Sequence, residues 1–392
     1  MRRSLLAALG LALALTGAAA QDGFRTWIEG LWPLAQARGV SRATFDAAFR
    51  EVTAPDPAVL ARIRRQGEFG RPIWDYLAGA VSPGRVARGK AEAARRADVL
   101  AAIEARSSVP APVLLAVWGM ESDFGTGTGT VSTVRALATL AQAGHRSDLF
   151  RDELLAALEI LEHHDVGPEG LRGSWAGAMG QTQFLPSVYL RTAVDFDGDG
   201  RRDIWTSAPD ALASIASFLR QAGWQPGLPW GVAVRLPDGF DLARYRGSFA
   251  EFSARGVRRA DGTALPAQGE ASLFLPGGRS GPAFLITDNF EAFRAYNTSD
   301  AYALAVGHLA DRIAGGAPLS APWPVAAPRL DQAGLRALQQ GLAARSLYAG
   351  PLDGRAGPKL REAVRRYQIA AGLPADGYAT PALLEHLRHA SP

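Results

Sequence analysis

The chain contains no cysteine, and that absence constrains its fold more than any other feature of the sequence. No disulfide can staple loops, no thiolate can hold a structural zinc, and neither a cysteine nucleophile nor an acylated lipoprotein cysteine is available. Stability must come from buried apolar surface. The sequence supplies it: 47% of residues are hydrophobic and 20% charged, a globular balance. A length of 392 residues allows about two or three domains. Lysine occurs only at Lys90 and Lys359, which removes phosphate-loop and Schiff-base chemistry almost entirely. The formal charge is +4, with arginines scattered among acids. That pattern describes solvated helix faces, so no nucleic-acid partner is expected, although a mildly positive surface suits an anionic polymer such as a cell wall.

The N-terminus reads MRR, an apolar run from Leu5 to Leu15, then TGAAA before Gln21. This is the pattern of a secretory signal peptide over residues 1–20, cleaved after Ala20. The apolar run is shorter than the ~20 residues a membrane span needs, and no later segment is long and apolar enough. The expectation is an exported, periplasmic protein with no membrane span.

Residues 24–104 read as short amphipathic helices punctuated by Pro and Gly, with Phe45, Phe49, Phe69, Trp74 and Leu77 as core. A long helix is expected from about Arg85 to Ala105. It leads into SSVPAP, where Ser107 or Ser108 can cap and proline opens the next helix. Helical patterns continue through VRALATLAQAG and DLFRDELLAALEILEHH. After Trp224, GVAVRL, EASLFL and PAFLIT are short apolar runs between DG, PGG and GP turns, which predicts a small β subdomain. NFEAFRAYNTSDAYALAVGHLADRI returns to helix. A Pro/Ala-rich linker follows, bounded at 316–327. Beyond it, two near-repeats of an amphipathic helix ending in an Asp-Gly turn predict a three-helix binding module over 328–392.

Three stretches can carry chemistry. In VLLAVWGMESDFG, residues 113–125, a helical reading puts Glu121 in line with Leu114, Val117 and Trp118 at i−7, i−4 and i−3. Desolvation there raises a carboxyl pKa, and Asp123 points to the far side of the helix. The alternative is a glutamate that ends a core helix with its head in solvent. In GSWAGAMGQTQFLPS, residues 173–187, Ser174, Gln181 and Gln183 sit amid Trp175, Met179 and Phe184. Small residues admit a ligand close to backbone, and neutral amides and hydroxyls suit sugars; a tightly packed turn is the alternative. In DFDGDGRRDIW, residues 195–205, Asp195, Asp197, Asp199 and Gly200 match the opening of a calcium loop. The twelfth position is Thr206, so Asp210 is the candidate for the remaining ligand, and an Asx-turn loop without metal is the alternative. GTGTGT at 125–130 lacks a following Lys-Ser/Thr and reads as a flexible rim, not a phosphate cradle. The six histidines lack metal spacing and read as surface or capping residues. There is no G-x-S-x-G elbow.

With these motifs in this order, together with DALASIASFLRQAGW and AYNTSDAYALAVGHLA, residues 24–315 resemble lytic murein transglycosylases of the MltB type. The C-terminal module resembles a helical peptidoglycan-binding domain. The resemblance implies a mainly α (α+β) protein: a goose-lysozyme-like α core with a small β subdomain in a catalytic domain over 21–315, then the three-helix module. It implies Glu121 as sole acid/base, with Ser174, Gln181, Gln183, Phe184, Phe218, Tyr296 and Asn297 at the glycan cleft. Asp195, Asp197 and Asp199 match the family's calcium loop. Two departures stand: Phe218 falls where a tyrosine can sit, and an extra residue separates Trp205 from Asp210. Ordinary glycosidases use two carboxylates. Here the implied reaction cleaves the MurNAc–GlcNAc bond with one, because the MurNAc C6 hydroxyl attacks its own C1 to give a 1,6-anhydro sugar. No catalytic cofactor is implied, only a structural calcium; the partner is the peptidoglycan glycan strand, and a monomer is expected. A water-using muramidase with a second acid and a non-catalytic wall-binding protein are the alternatives.

Overall fold

The apolar spacing of DLFRDELLAALEILEHH becomes helix Ser147–Glu162, whose buried side includes Phe150, Leu154, Leu158 and Leu161. It packs against helices Thr133–Gln142, Pro186–Thr192 and Arg42–Phe49. The computed structural model describes residues 22–65 and 71–390. The signal segment expected over 1–20 and Phe69 lie outside them. Among the described residues two compact units are distinguished, one formed by 22–65 with 117–217, the other by 71–116 with 218–390. Among the described residues, no single helix is long and apolar enough to cross a membrane.

The first unit is helical. Phe45 is buried and Phe49 half-buried, and the Ser41 hydroxyl accepts from Thr44 N–H to cap their helix. Helix Pro186–Thr192 has no cap of its own at Leu185. The buried Glu153 carboxylate supplies one from across the unit, accepting from Ser187 N–H at 2.8 Å and Ser187 Oγ at 2.7 Å. The two short strands of this unit, β1 (Val131–Ser132) and β2 (Arg172–Gly173), pair antiparallel.

In the second unit, two helices, Pro83–Arg95 and Ala97–Ser107, replace the single expected one. The chain breaks at Arg96, whose backbone (φ −117, ψ 23) leaves the helical region while its side chain holds Glu92. Helices Ile73–Ala80 and Pro83–Arg95 pack on Asp300–Ile313. His308 on the last helix is buried, not superficial as expected from sequence, and burial pulls its imidazole down to about 4. The three predicted strands form as β3 (Gly231–Arg235), β6 (Glu270–Phe274) and β7 (Ala283–Ile286). Short edge strands β4 (Arg246–Ser248) and β5 (Arg258–Arg259) complete an antiparallel sheet in the order β4-β6-β7-β3-β5. Val232, Val234, Leu273 and Leu285 meet Phe249 and Phe252 in its core.

The C-terminal module forms three helices, Gln332–Ala344, Pro358–Ala370 and Pro381–His389, around Leu338, Leu342, Leu360, Val364, Leu383 and Leu387. Its two repeats share one device. Buried Gln339 donates to Asp353 Oδ1 (3.0 Å) and accepts from Gly354 N–H (2.8 Å). Buried Gln368 donates to Asp376 Oδ1 (2.7 Å) and accepts from Gly377 N–H (2.8 Å). Each Asp-Gly turn is thus clamped by a glutamine from the preceding helix.

The module is not a free appendage on an open linker. Trp323 lies 6.0 Å from Trp74, ring to ring. Tyr245 Oη donates to Glu362 (2.7 Å), and Arg361 pairs with Asp300. Arg365 donates through Nη2 to the Leu273 carbonyl at 3.0 Å and sits 4.1 Å over the Tyr245 ring. Burial, with Arg361 beside it, pulls the Arg365 guanidinium down to about 10.

Candidate active site

Helix Ala111–Ser122 ends one residue after Glu121. Leu114, Val117 and Trp118 are buried, but so are Val113, Leu115 and Ala116, so this helix is apolar all round and the stripe read from sequence is part of a fully enclosed rod. It becomes accessible only at its two ends, and Glu121 is half-buried in its last turn. Asp123 is not on the helix's far face. It lies beyond the helix end at φ 49, and Phe124 (φ 61) and Gly125 (φ 84) continue the left-handed run. For L-residues that conformation is costly, and contacts hold it in place. The Phe124 ring packs edge-on against Trp118 at 5.6 Å and lies over Gly119, where a Cβ would come within 2.6 Å of Phe124 Cζ.

The hairpin-like segment 172–184 fastens this turn. Trp118 Nε1 donates to Gln181 Oε1 (2.9 Å), Ser122 Oγ donates to the Gln181 carbonyl (2.7 Å), and Gln181 Nε2 donates to the Trp205 carbonyl (3.2 Å). Gln181 is only 5% exposed. Both ends of its amide, expected from sequence to meet a sugar, are engaged inside the protein. Phe184, expected at the cleft, is only 2% exposed and belongs to the core.

Ser174 and Gln183 are half-buried. Ser174 Oγ accepts from Ala176 (3.3 Å) and Ala178 (3.1 Å) N–H groups, which orients its own proton elsewhere. Gln183, at φ 51, donates from Nε2 to the carbonyls of Thr128 (3.0 Å) and Gly180 (2.9 Å). The GTGTGT segment is accordingly strapped down, not a flexible rim. Arg172 donates to the Thr130 carbonyl (2.9 Å), β1 pairs with β2, and a Cβ at Gly129 would meet the Gly173 oxygen at 2.2 Å. Segments 117–130 and 172–187 contain only two carboxylates, Glu121 and Asp123.

The acidic loop follows the hairpin. Carboxylate oxygens of Asp195, Asp197 and Asp210 lie within 4.8 Å of one another. Asp210 is buried, and burial raises its pKa although Phe196 and Asp203 N–H groups donate to it (2.8 Å each). Three hard oxygens from three acids suit calcium. Asp199, the fourth residue expected there, is outside this group because its carboxylate takes Arg201, through the backbone N–H (2.9 Å) and the guanidinium (3.2 Å). The loop's far end is tied by Arg202 to Asp165 (2.6 Å) and by Tyr189 Oη to the Arg202 carbonyl (2.7 Å). Glu153, Tyr189 and Ser122, which build this scaffold, carry no local sequence signal, because their partners are 13 to 59 residues away.

Phe218, Tyr296 and Asn297 belong to the second unit. The Phe218 and Tyr296 rings are 4.6 Å apart, and exposed Asn297 ends helix Asp288–Tyr296.

The family model described as Transglycosylase SLT domain matches residues 23–311. The chain belongs to this family. A second model, a putative peptidoglycan binding domain, matches residues 331–387 of this transglycosylase-family chain. The membrane-bound lytic murein transglycosylase B of Escherichia coli is 33% identical over 213 residues, 53% of this chain and 57% of its own length. The chain therefore spans a little over half of that relative. SltB3 from Pseudomonas aeruginosa, solved with NAG-anhNAM-pentapeptide, is 47% identical with TM-score 0.85, covering 93% of this chain and 99% of that one. An Escherichia coli lytic transglycosylase solved with calcium is 27% identical with TM-score 0.61, over 74% of this chain and 92% of its own.

Proposed function

We propose that this protein is an exported peptidoglycan lytic transglycosylase in which Glu121 is the sole acid/base. One observation carries the reading: a half-buried carboxylate at a rigid helix end, held against an amide- and hydroxyl-bearing hairpin that has no acid of its own. Protonated Glu121 donates to the oxygen between MurNAc and GlcNAc. The resulting carboxylate takes the proton of the MurNAc C6 hydroxyl as that oxygen bonds to C1, closing the 1,6-anhydro ring and restoring the acid. The substrate supplies the nucleophile, so neither a second carboxylate nor a positioned water is required, unlike ordinary glycosidases.

Ser174 and Gln183 orient the sugar through neutral hydrogen bonds, and the family resemblance assigns glycan contacts to Phe218, Tyr296 and Asn297 as well. Residues 21–315 form the catalytic domain, and 328–392 hold the wall. Asp195, Asp197 and Asp210 hold a calcium ion that fixes the loop after the hairpin and takes no part in the chemistry. Family membership and the calcium-bound Escherichia coli structure support these assignments.

Mass spectrometry of muropeptides after digestion tests the reading. Anhydro products without added water are expected, and Glu121→Gln should abolish their release with the fold intact. Products one water heavier would instead make the enzyme a muramidase, and wall binding without any released product would make it a scaffold.

A further inference from the structure

A polar pocket in the second unit has no part in the reaction above. It lies where helix Pro358–Ala370 meets β4, β6 and the start of helix Asp288–Tyr296. Arg365, only 3% exposed, lines it. Its Nε and Nη2 are used on the carbonyls of Ala375 (3.1 Å), Leu273 (3.0 Å) and Asp376 (3.5 Å). Nη1 makes no hydrogen bond, and among the described residues no carboxylate pairs with this guanidinium. Glu362 and Asp376 favour its charge only from beyond ion-pair distance, and a buried cation without a direct partner is costly.

The neighbouring charges are otherwise neutralised in pairs: Arg361 with Asp300, Arg246 with Glu362 at 3.3 Å, and Glu291 with Arg294 at 2.6 Å. Among the described residues, two lining carboxylates take no cation. Glu270 is exposed with no ion pair, and exposed Asp288 accepts only the Gln225 amide at 2.9 Å. The pocket is therefore polarised, with a guanidinium that has no direct ion pair inside and two carboxylates without a salt bridge in its accessible lining. Pro358 also lines it, at the start of a helix to which Gly357 offers no side-chain cap, so the positive end of that helix adds to the interior potential.

We propose that this pocket binds a short peptide bearing a free carboxylate and an amine, with the carboxylate on Arg365 Nη1 and the amine at Glu270 and Asp288. The acidic lining disfavours a simple polyanion such as phosphate, and the buried guanidinium disfavours a simple cation. Only the identification of this zwitterion with the stem peptide of the wall rests on the function proposed above.

Titration calorimetry of the full chain with a sugar-free stem pentapeptide tests it, using the free acid, its C-terminal amide and an amine-blocked form. The free acid should bind about tenfold tighter than the amide, because only the acid makes a charge-assisted bond to the guanidinium. Arg365 also holds backbone carbonyls, so exposed Glu270→Gln is the decisive variant. It should weaken the free-amine peptide severalfold and leave the amine-blocked one unchanged. Equal binding of acid and amide, no binding of the free acid, or indifference to Glu270→Gln would overturn the proposal. Digestion of peptide-free glycan strands by the same preparation separates the two claims: turnover without peptide binding refutes the pocket alone, and peptide binding without turnover refutes the catalytic reading alone.

Discussion

Replacing Gln181 by leucine keeps roughly the side-chain volume and removes both of its hydrogen bonds. The indole N–H of Trp118, a residue 1% exposed, loses its acceptor at 2.9 Å, and the Trp205 carbonyl loses its donor at 3.2 Å. Each buried polar group left unpaired costs ~1–3 kcal/mol, and the added apolar burial returns about 1 kcal/mol. The net loss should be about 1–5 kcal/mol, read as a lower urea midpoint for the tryptophan-fluorescence transition. Gln181→Glu keeps an acceptor for Trp118 but loses the donor to Trp205 and buries a charge, so it should be at least as damaging. Turnover should fall chiefly through kcat, because Trp118, one turn before Glu121 on the same helix, loses its anchor. Leucine and glutamate variants both within about 0.5 kcal/mol of the parent, with KM raised and kcat kept, would refute this reasoning and restore Gln181 as a sugar contact.

Calcium should raise the melting temperature by mass action, Asp197→Ala should erase that gain, and scanning calorimetry at several calcium concentrations reads both. Because burial raises the Asp210 pKa, protons compete for the site, and the calcium-dependent gain should shrink on acidification from neutral pH. His308 is depressed from 6.5 to about 4, so the unfolded chain binds its proton more tightly. Stability is full above the unfolded value and falls as pH drops toward 4, by up to about 3 kcal/mol; denaturant titrations across that range should show a flatter profile for His308→Gln. Deleting residues 328–392 removes the Arg365, Glu362 and Arg361 contacts with the sheet and with Asp300. The remaining chain should therefore melt several degrees lower, and an unchanged melting curve would mean that the docking contributes nothing.

Periodicity made the helices and the three apolar strands legible, because DELLAALEILE and GVAVRL bury faces that repeat at 3.6 and 2 residues. Strands β4 and β5 were not legible, since RGS and RR carry no alternation and pair only because β6 and β3 offer free edges. Glu121 stood out as an acid ending an apolar run, and the three aspartates of the loop by their spacing. Residue type alone could not sort Gln181 from Gln183. Both are amides in a small-residue segment, and only the third dimension brings Trp118, 63 residues away, to one of them. The docked module was likewise hidden, because Pro and Ala suggest a tether while Trp323 finds Trp74 far upstream.

The left-handed turn after Glu121 has a consequence for how this sequence can change over time. A Cβ at Gly119 would need the Phe124 ring removed, and without that ring two consecutive residues would sit in an unfavourable backbone region uncompensated. A Cβ at Gly125 would strike Gln181 Oε1 at 2.6 Å, and moving that amide would release Trp118. One at Gly129 would strike the Gly173 backbone, which no rotamer change can clear. Single steps at these positions are therefore closed, and only compound substitutions, altering both partners together, remain open. The stretch around the acid should drift in correlated sets.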